Sequence, residues 1–137
     1  MALHRLVYSS RPFGFDEAML NNILFQARRC NARDDVTGSL ICRADIYLQL
    51  LEGPKSALDA TYARIVGDDR HLEVKQRIYE SAPERLFEAW SMRDDPARSW
   101  MWTQKEVAAG ALAAATRDDI LAVFARLALE SADVSSA

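Results

Sequence analysis

Tyr47-Leu-Gln-Leu-Leu-Glu-Gly53 decides how this chain is read. Successive side chains of a strand alternate faces, so Tyr47, Gln49 and Leu51 share one face, and Leu48 and Leu50 the other. A strand apolar on both faces belongs in the middle of a covered sheet. Gln49 is then a carboxamide in an apolar interior, where an unpartnered amide costs roughly 1–3 kcal/mol. The plainer alternative is an exposed glutamine on an edge strand.

Working outward, residues 38–43 and 46–52 read as two strands joined tightly at Ala44-Asp45, a hairpin. Upstream, residues 3–9 are strand-like, with Leu6 and Tyr8 on one face and Leu3 and Val7 on the other. Arg11-Pro-Phe-Gly14 breaks that strand. Asp16 is a good N-cap, and Phe15 is placed to staple to Leu20. The helix that follows covers about 17–31, with a stripe of Leu20, Leu24, Ala27 and Asn31. Downstream, Gly53-Pro54 opens a second helix that buries Leu58, Tyr62 and Ile65 and ends near Gly67. Residues 72–82 form a more polar strand suited to an edge, ended by Pro83, and residues 89–93 a short last strand. The order βαββαββ, with two helices on one face of the sheet, is an α+β fold of the ferredoxin-like kind. Two C-terminal helices follow. Thr103-Gln-Lys-Glu106 is a capping box for the first, and Thr116 caps the second, whose stripe is Ile120, Val123, Phe124 and Leu127. They either cover the second face of the sheet or meet a partner. The tail at 131–137 reads as frayed.

Composition narrows the classes. A chain of 137 residues has room for a sizeable core. A net charge of −3 and a pI near 5.4 give no footprint for direct nucleic-acid binding. Cys30 and Cys42 have neither metal-ligand nor disulfide-framework spacing, which fits free thiols in a reducing cytoplasm. No apolar run suits a signal peptide or a membrane span. Hydrolase triads, HExxH, Walker A and GxGxxG are all missing from the sequence, so no metal site and no common nucleotide motif is expected.

Each candidate residue has an ordinary reading beside the functional one. Asn31 lies on an otherwise apolar helix face, where its amide either binds a ligand or bonds the end of its own helix. Tyr8 faces inward, as many core tyrosines do. Trp90 and Met92, two apart, share a strand face and by default pack in a core. Arg64 and Asp68 stand four apart and are spaced to pair at the end of the second helix.

In combination these segments resemble the BLUF domain, a flavin-binding sensor of blue light. The resemblance covers about 3–93 and rests on Leu6-Val-Tyr-Ser-Ser10, Asn31 with Thr37-Gly38, and Tyr47-Leu-Gln-Leu-Leu-Glu-Gly53. The Asp69-Arg-His71 turn and Arg85-Leu-Phe-Glu-Ala-Trp-Ser-Met92 complete it. It implies FAD, with the isoalloxazine ring held between the two helices. Tyr8 is then the photochemical electron donor, and Gln49 lies between it and flavin N5/O4. Asn31 would bind the ring's polar edge. Ile23, Leu24, Leu40 and Ile65 would be apolar walls, and Arg64, Asp68 and Arg70 would lie near the ring edge, ribityl chain or phosphates. The chain departs from the family pattern at Ser9-Ser10, Leu48 and Cys30.

The implied mechanism is a switch rather than catalysis. Tyr8 gives up an electron and a proton after excitation, the proton passes through Gln49, and back-transfer leaves Gln49 rotated or tautomerised. The change then leaves through Trp90 or Met92 and the terminal helices. Residues 1–95 would be the flavin-binding domain and 96–137 a helical extension. The expected receiver is a separate output protein, such as a cyclic-di-nucleotide phosphodiesterase or a transcriptional regulator. A homodimer or higher homo-oligomer is also expected, with Leu112, Ile120, Phe124 and Leu127 offered as a dimer or docking surface. Two other readings are a non-photoactive ligand-binding module and an acylphosphatase-like hydrolase using Arg11 and Asn31.

Overall fold

β3 (Ile46–Pro54) runs through the middle of the sheet, between β1 (Leu3–Pro12) and β2 (Thr37–Arg43), as its two apolar faces require. The computed structural model describes residues 3–12, 17–68, 71–88, 92–96 and 100–136. β4 (His71–Ser81) pairs with β1 at one edge, and β5 (Arg93–Pro96) with β2 at the other, giving the order β4-β1-β3-β2-β5. All pairs are antiparallel except β2 with β5, which is parallel. The expected α+β, ferredoxin-like arrangement is therefore present, with the more polar β4 at an edge.

The first 3.6-period helix is α1 (Glu17–Asp34). It runs one turn beyond the expected end at Asn31, because the left-handed residue that closes it is Asp35, at φ 60°. The Val36 N–H then reaches back to the Asn31 carbonyl at 2.9 Å, the six-to-one bond of a Schellman cap. α2 (Lys55–Val66) starts after Pro54, whose φ of −61° and extended ψ suit the N-cap position. Both helices cover one face of the sheet. Ile23 and Leu24 of α1 and Leu58 of α2 pack with Leu6, Tyr8, Leu40, Tyr47 and Leu51.

The opposite face is covered by the C-terminal segment. Thr103 forms its capping box with Glu106 at the head of α3 (Gln104–Ala108). A break at Gly110, φ 94°, separates α3 from α4 (Ala111–Ala114), so the first terminal helix is two short pieces. Gly supplies that left-handed conformation without a Cβ penalty. Thr116 caps α5 (Arg117–Ser136) in a reciprocal pair with Asp119, and residues 131–136 continue this helix rather than fraying. Ile120, Val123, Phe124 and Leu127 lie against Val7, Ile41, Leu48 and Leu50. Burying each such side chain contributes about 1.5–3 kcal/mol. This corrects one expectation: Leu112, Ile120, Phe124 and Leu127 are buried and offer no free dimer or docking surface. The sheet claimed them, because β2 and β3 are apolar on this face too.

The expected last strand at 89–93 meets β5 at Arg93; Trp90 lies outside the described residues, as do Phe15, Asp16, Asp69 and Arg70. Among the described residues, no helix is long and apolar enough to cross a membrane.

Close approach makes one glycine of β2 irreplaceable. A Cβ on Gly38 would sit 1.9 Å from the Leu50 carbonyl oxygen, whereas one on Gly67 meets nothing nearer than 3.7 Å. Gly38→Ala is expected to lower stability by about 1–3 kcal/mol or more, the range for overpacking. Gly67→Ala should stay within about 0.5 kcal/mol of the parent. Urea denaturation of the two variants beside the parent measures both.

Candidate functional site

Register brings the polar groups of the interior together. Tyr8 of β1 and Leu40 of β2 both stand opposite Gln49 of β3. With its side chain on the α1/α2 face, Gln49 is 4% exposed and cannot be solvated. The Tyr8 hydroxyl donates to Gln49 Oε1, and Gln49 Nε2 donates to Met92 Sδ at 3.2 Å. Each end of the amide therefore has a partner of the right sign. Met92 immediately precedes β5, and its own carbonyl accepts from Arg28 Nε of α1 at 2.9 Å.

Above this chain of bonds, α1 and α2 leave a cleft. Ile23, Ala27, Cys30 and Asn31 line it from α1, Thr61, Arg64 and Ile65 from α2, with Asp68 just beyond, and Tyr8 and Gln49 from the sheet. Of the expected site residues, Tyr8, Ile23, Asn31, Gln49, Arg64, Ile65 and Asp68 thus meet at one cleft. Leu24 and Leu40 belong instead to the apolar cluster between helices and sheet. Met92 contacts Gln49 in that same cluster. Arg70 and Trp90 lie outside the described residues.

Gln26, Arg29 and Thr61 line the cleft and were not singled out from sequence. Helical spacing carries the signal that finds them. Ile23, Gln26, Ala27, Cys30 and Asn31 recur at three and four, as do Thr61, Arg64, Ile65 and Asp68. The expected partnership of Arg64 with Asp68 is replaced. Arg64 reaches across to Asp34 of α1 at 3.8 Å and to its own-helix neighbour Thr61 at 3.1 Å. One turn of extra α1 supplies that carboxylate. Asp34 is held below the usual carboxylate range, chiefly by the hydrogen bond from Arg33.

Glu52 is a further polar residue to which the sequence assigned no role. Its carboxylate is fully buried and accepts from Thr37 Oγ1 at 3.1 Å and from the backbone N–H groups of Leu86 and Phe87 at 2.8 and 2.6 Å. Arg85 adds bonds to Thr37 Oγ1 and to the Glu52 and Asp35 carbonyls. A buried carboxylate so fully bonded fixes the segment that leads toward Met92.

Burial pushes the Tyr8 phenol well above its ordinary range, and the nearby charge of Asp68 pushes it further. The phenol therefore stays protonated at neutral pH and remains a donor to Gln49. Tyr62 of α2 lies beside it, ring centroids 6.1 Å apart.

A family model, BLUF: Sensors of blue-light using FAD, matches residues 3–93. The blue light- and temperature-regulated antirepressor BluF of Escherichia coli (strain K12) is 38% identical over 61 residues, 44% of this chain and 15% of the relative. The photoactivated adenylate cyclase subunit beta of Euglena gracilis is 35% identical over 74 residues, 53% of this chain and 9% of the relative. The chain thus spans a small fraction of these curated relatives. Among solved structures, BlrB, a BLUF protein in its dark state, is 29% identical with a TM-score of 0.78, covering 94% of this chain and 97% of that one. The BlsA ground state, at 22% identity and a TM-score of 0.77, shares the fold.

The raised Tyr8 value has a sign that can be tested. A group whose folded value lies above its unfolded one, about 10 for a phenol, stabilises the fold fully below that pH; the contribution is lost as pH rises through the folded value. Ultraviolet titration should show that Tyr8→Phe leaves unchanged the number of tyrosines ionising below about pH 11. One fewer titrating phenol in the variant would contradict the burial.

Proposed function

The chain belongs to the BLUF family, sensors of blue light using FAD, and from that membership we propose that the Gln49 amide, between Tyr8 and Met92, is its light-operated switch. The observation that carries this is the bonding of both amide ends inside the core. The family is one of sensors, not enzymes, and its cofactor is FAD.

The cleft fits that cofactor by its chemistry. Ile23 and Ile65 offer apolar walls on facing helices, as a flat ring needs. Asn31 and Gln49 are buried amides with donors and acceptors for a ring edge bearing carbonyls and an N–H. Arg29 and Arg64 are exposed cations at the same cleft, placed to meet phosphates. We assign Leu24 and Leu40 to supporting those walls from the cluster behind them.

A flavin held there by these residues would supply blue-light absorption and a transient electron acceptor. Tyr8 is the donor we assign; its hydroxyl proton would leave along its hydrogen bond to Gln49 and return with the electron, so that only the orientation of the amide is changed. If the amide then rotates, Nε2 faces the phenol oxygen and Oε1 faces the Met92 sulfur. Two acceptors now oppose each other at Met92, and a bond worth about 1 kcal/mol net is lost. That is enough to bias a two-state element, not to remake a fold. The element we propose is the start of β5 with the C-terminal segment, so that 1–95 senses and 96–137 reports. The receiver would be an output protein, in keeping with relatives named as an antirepressor and a cyclase subunit. A transcriptional regulator or a cyclic-di-nucleotide phosphodiesterase is the class we propose, with a homodimer as the receptor's own state.

The visible spectrum tests this directly. Protein purified in darkness should be yellow, and blue light should move its flavin band slightly to the red, with recovery in the dark. Tyr8→Phe and Gln49→Ala should each remove the shift while the bound flavin remains. Bleaching in place of a shift would indicate redox chemistry, and a colourless protein that takes up no FAD would overturn the proposal.

A further inference from the structure

Arg93 is a buried cation one residue after the sulfur that touches Gln49. It is 7% exposed, and burying a charge is costly unless its donors are held. Contacts with Leu127 and Phe87 draw it to the side of the sheet away from the cleft. Its Nη2 donates to the Leu127 carbonyl of α5 at 2.9 Å, and its guanidinium lies 5.1 Å from the centre of the Phe87 ring. Phe87 in turn meets Phe124 of α5 edge-on, with centroids 6.4 Å apart.

The Leu127 carbonyl belongs to the interior of α5, where the helix's own N–H ladder supplies a donor; a second donor uses its remaining lone pair. Adjacent residues of an extended chain point to opposite faces. Met92 therefore packs with the cluster on the α1/α2 face, and Arg93 reaches the cluster on the α5 face. A single peptide unit joins the two. At its other end α5 is tied to β4, on the opposite edge of the sheet, by Arg117 bonded to Glu80. Among the described residues the helix is thus tied at both edges, with Trp100 adding a bond to Glu130, and the Arg93 tie is the one beside Gln49's partner.

We propose that Arg93 is the positioning residue that turns a shift of Met92 into a shift of the C-terminal half of α5. This rests on the photoreceptor reading and names the side chain through which the switch would cross the sheet. Arg93 is not among the residues lining the cleft, and its bonds to Leu127 and Phe87 lie on the α5 face, so its loss should spare the light reaction itself.

The experiment uses the full chain with FAD bound and two readouts on each sample. One is the light-induced red shift, and the other is the light-minus-dark difference in amide hydrogen exchange over residues 117–136. The parent should show both. Arg93→Met, which keeps the bulk and removes the donors, should keep the red shift and lower the exchange difference by about fivefold or more, the factor carried by one net hydrogen bond. Arg93→Lys keeps a charge and a donor but not the planar face that stacks on Phe87, and should lower it by a smaller factor. If the Met variant does not fold, the Lys variant carries the test, and a parent-sized exchange difference in it overturns the proposal. A parent-sized difference in the Met variant does so equally. Loss of the red shift in a folded variant would place Arg93 in the switch itself and overturn its role as a coupler. A parent that shifts red with no exchange change in α5 overturns the inference and leaves the photoreceptor standing; a parent without the red shift removes both.

Discussion

A carboxamide has one end that accepts and one that donates, and the interior must supply a partner of each sign. Gln49 on the central strand imposes that demand here. Tyr8 meets it on one side because β1 and β3 place the two residues in register. Met92 meets it on the other because the chain returns to β2's free edge and runs parallel to it. Exchange the two ends of the amide and the bond to Met92 is lost, the sulfur having no proton to offer, while the phenol oxygen can accept from Nε2. This arrangement is thus specified by chemistry rather than by shape alone.

Much of the remaining structure serves to keep that register. Gly53 lets β3 pass the end of α1, where a Cβ would stand 2.8 Å from the Asp35 carbonyl oxygen. Glu52, beside it, binds the backbone of Leu86 and Phe87 and so directs the chain toward Met92. Removing one partner of a buried carboxylate leaves a charge uncompensated, which costs more than the bond itself contributed. The sequence Glu52-Gly53 therefore holds two constraints at once: a close approach and a buried anchor. On the other face, α5 closes the core over Val7, Leu48 and Leu50, so both sides of β3 are dry.

The sequence makes the local parts of this legible and leaves the distant ones hidden. Period-two alternation places Gln49 on the Tyr47 and Leu51 face and marks β3 as central. Helical spacing carries the stripe of α1 to Asn31, and the capping residues at Thr103 and Thr116 announce two helix starts. Each of these depends on neighbours within about one turn or one strand. By contrast, Arg93 to Leu127, Glu52 to Phe87 and Arg64 to Asp34 join segments whose proximity only the fold creates. Arg64 shows the failure plainly. Its i,i+4 neighbour Asp68 is the local expectation, but an α1 one turn longer brings Asp34 within reach. The four apolar residues assigned to a docking surface fail for a related reason: periodicity shows that Leu112, Ile120, Phe124 and Leu127 must be buried, but not against what.

In the proposed photoreaction, the same dryness would decide where the Tyr8 proton goes. Removing a proton from a buried phenol leaves a charge that the interior solvates poorly, and Asp68 makes that charge less favourable still. Arg64, a cation at the cleft, is already engaged by Asp34. An electron leaving Tyr8 reverses the balance, because an oxidised phenol holds its proton far less strongly, and the amide oxygen bonded to it is the acceptor in place. On the proposed reading, burial and the bond to Gln49 would together direct the proton onto the amide during the event. One environment would serve both requirements: burial and Asp68 disfavour the anion, and the amide oxygen is placed to take the proton of an oxidised phenol.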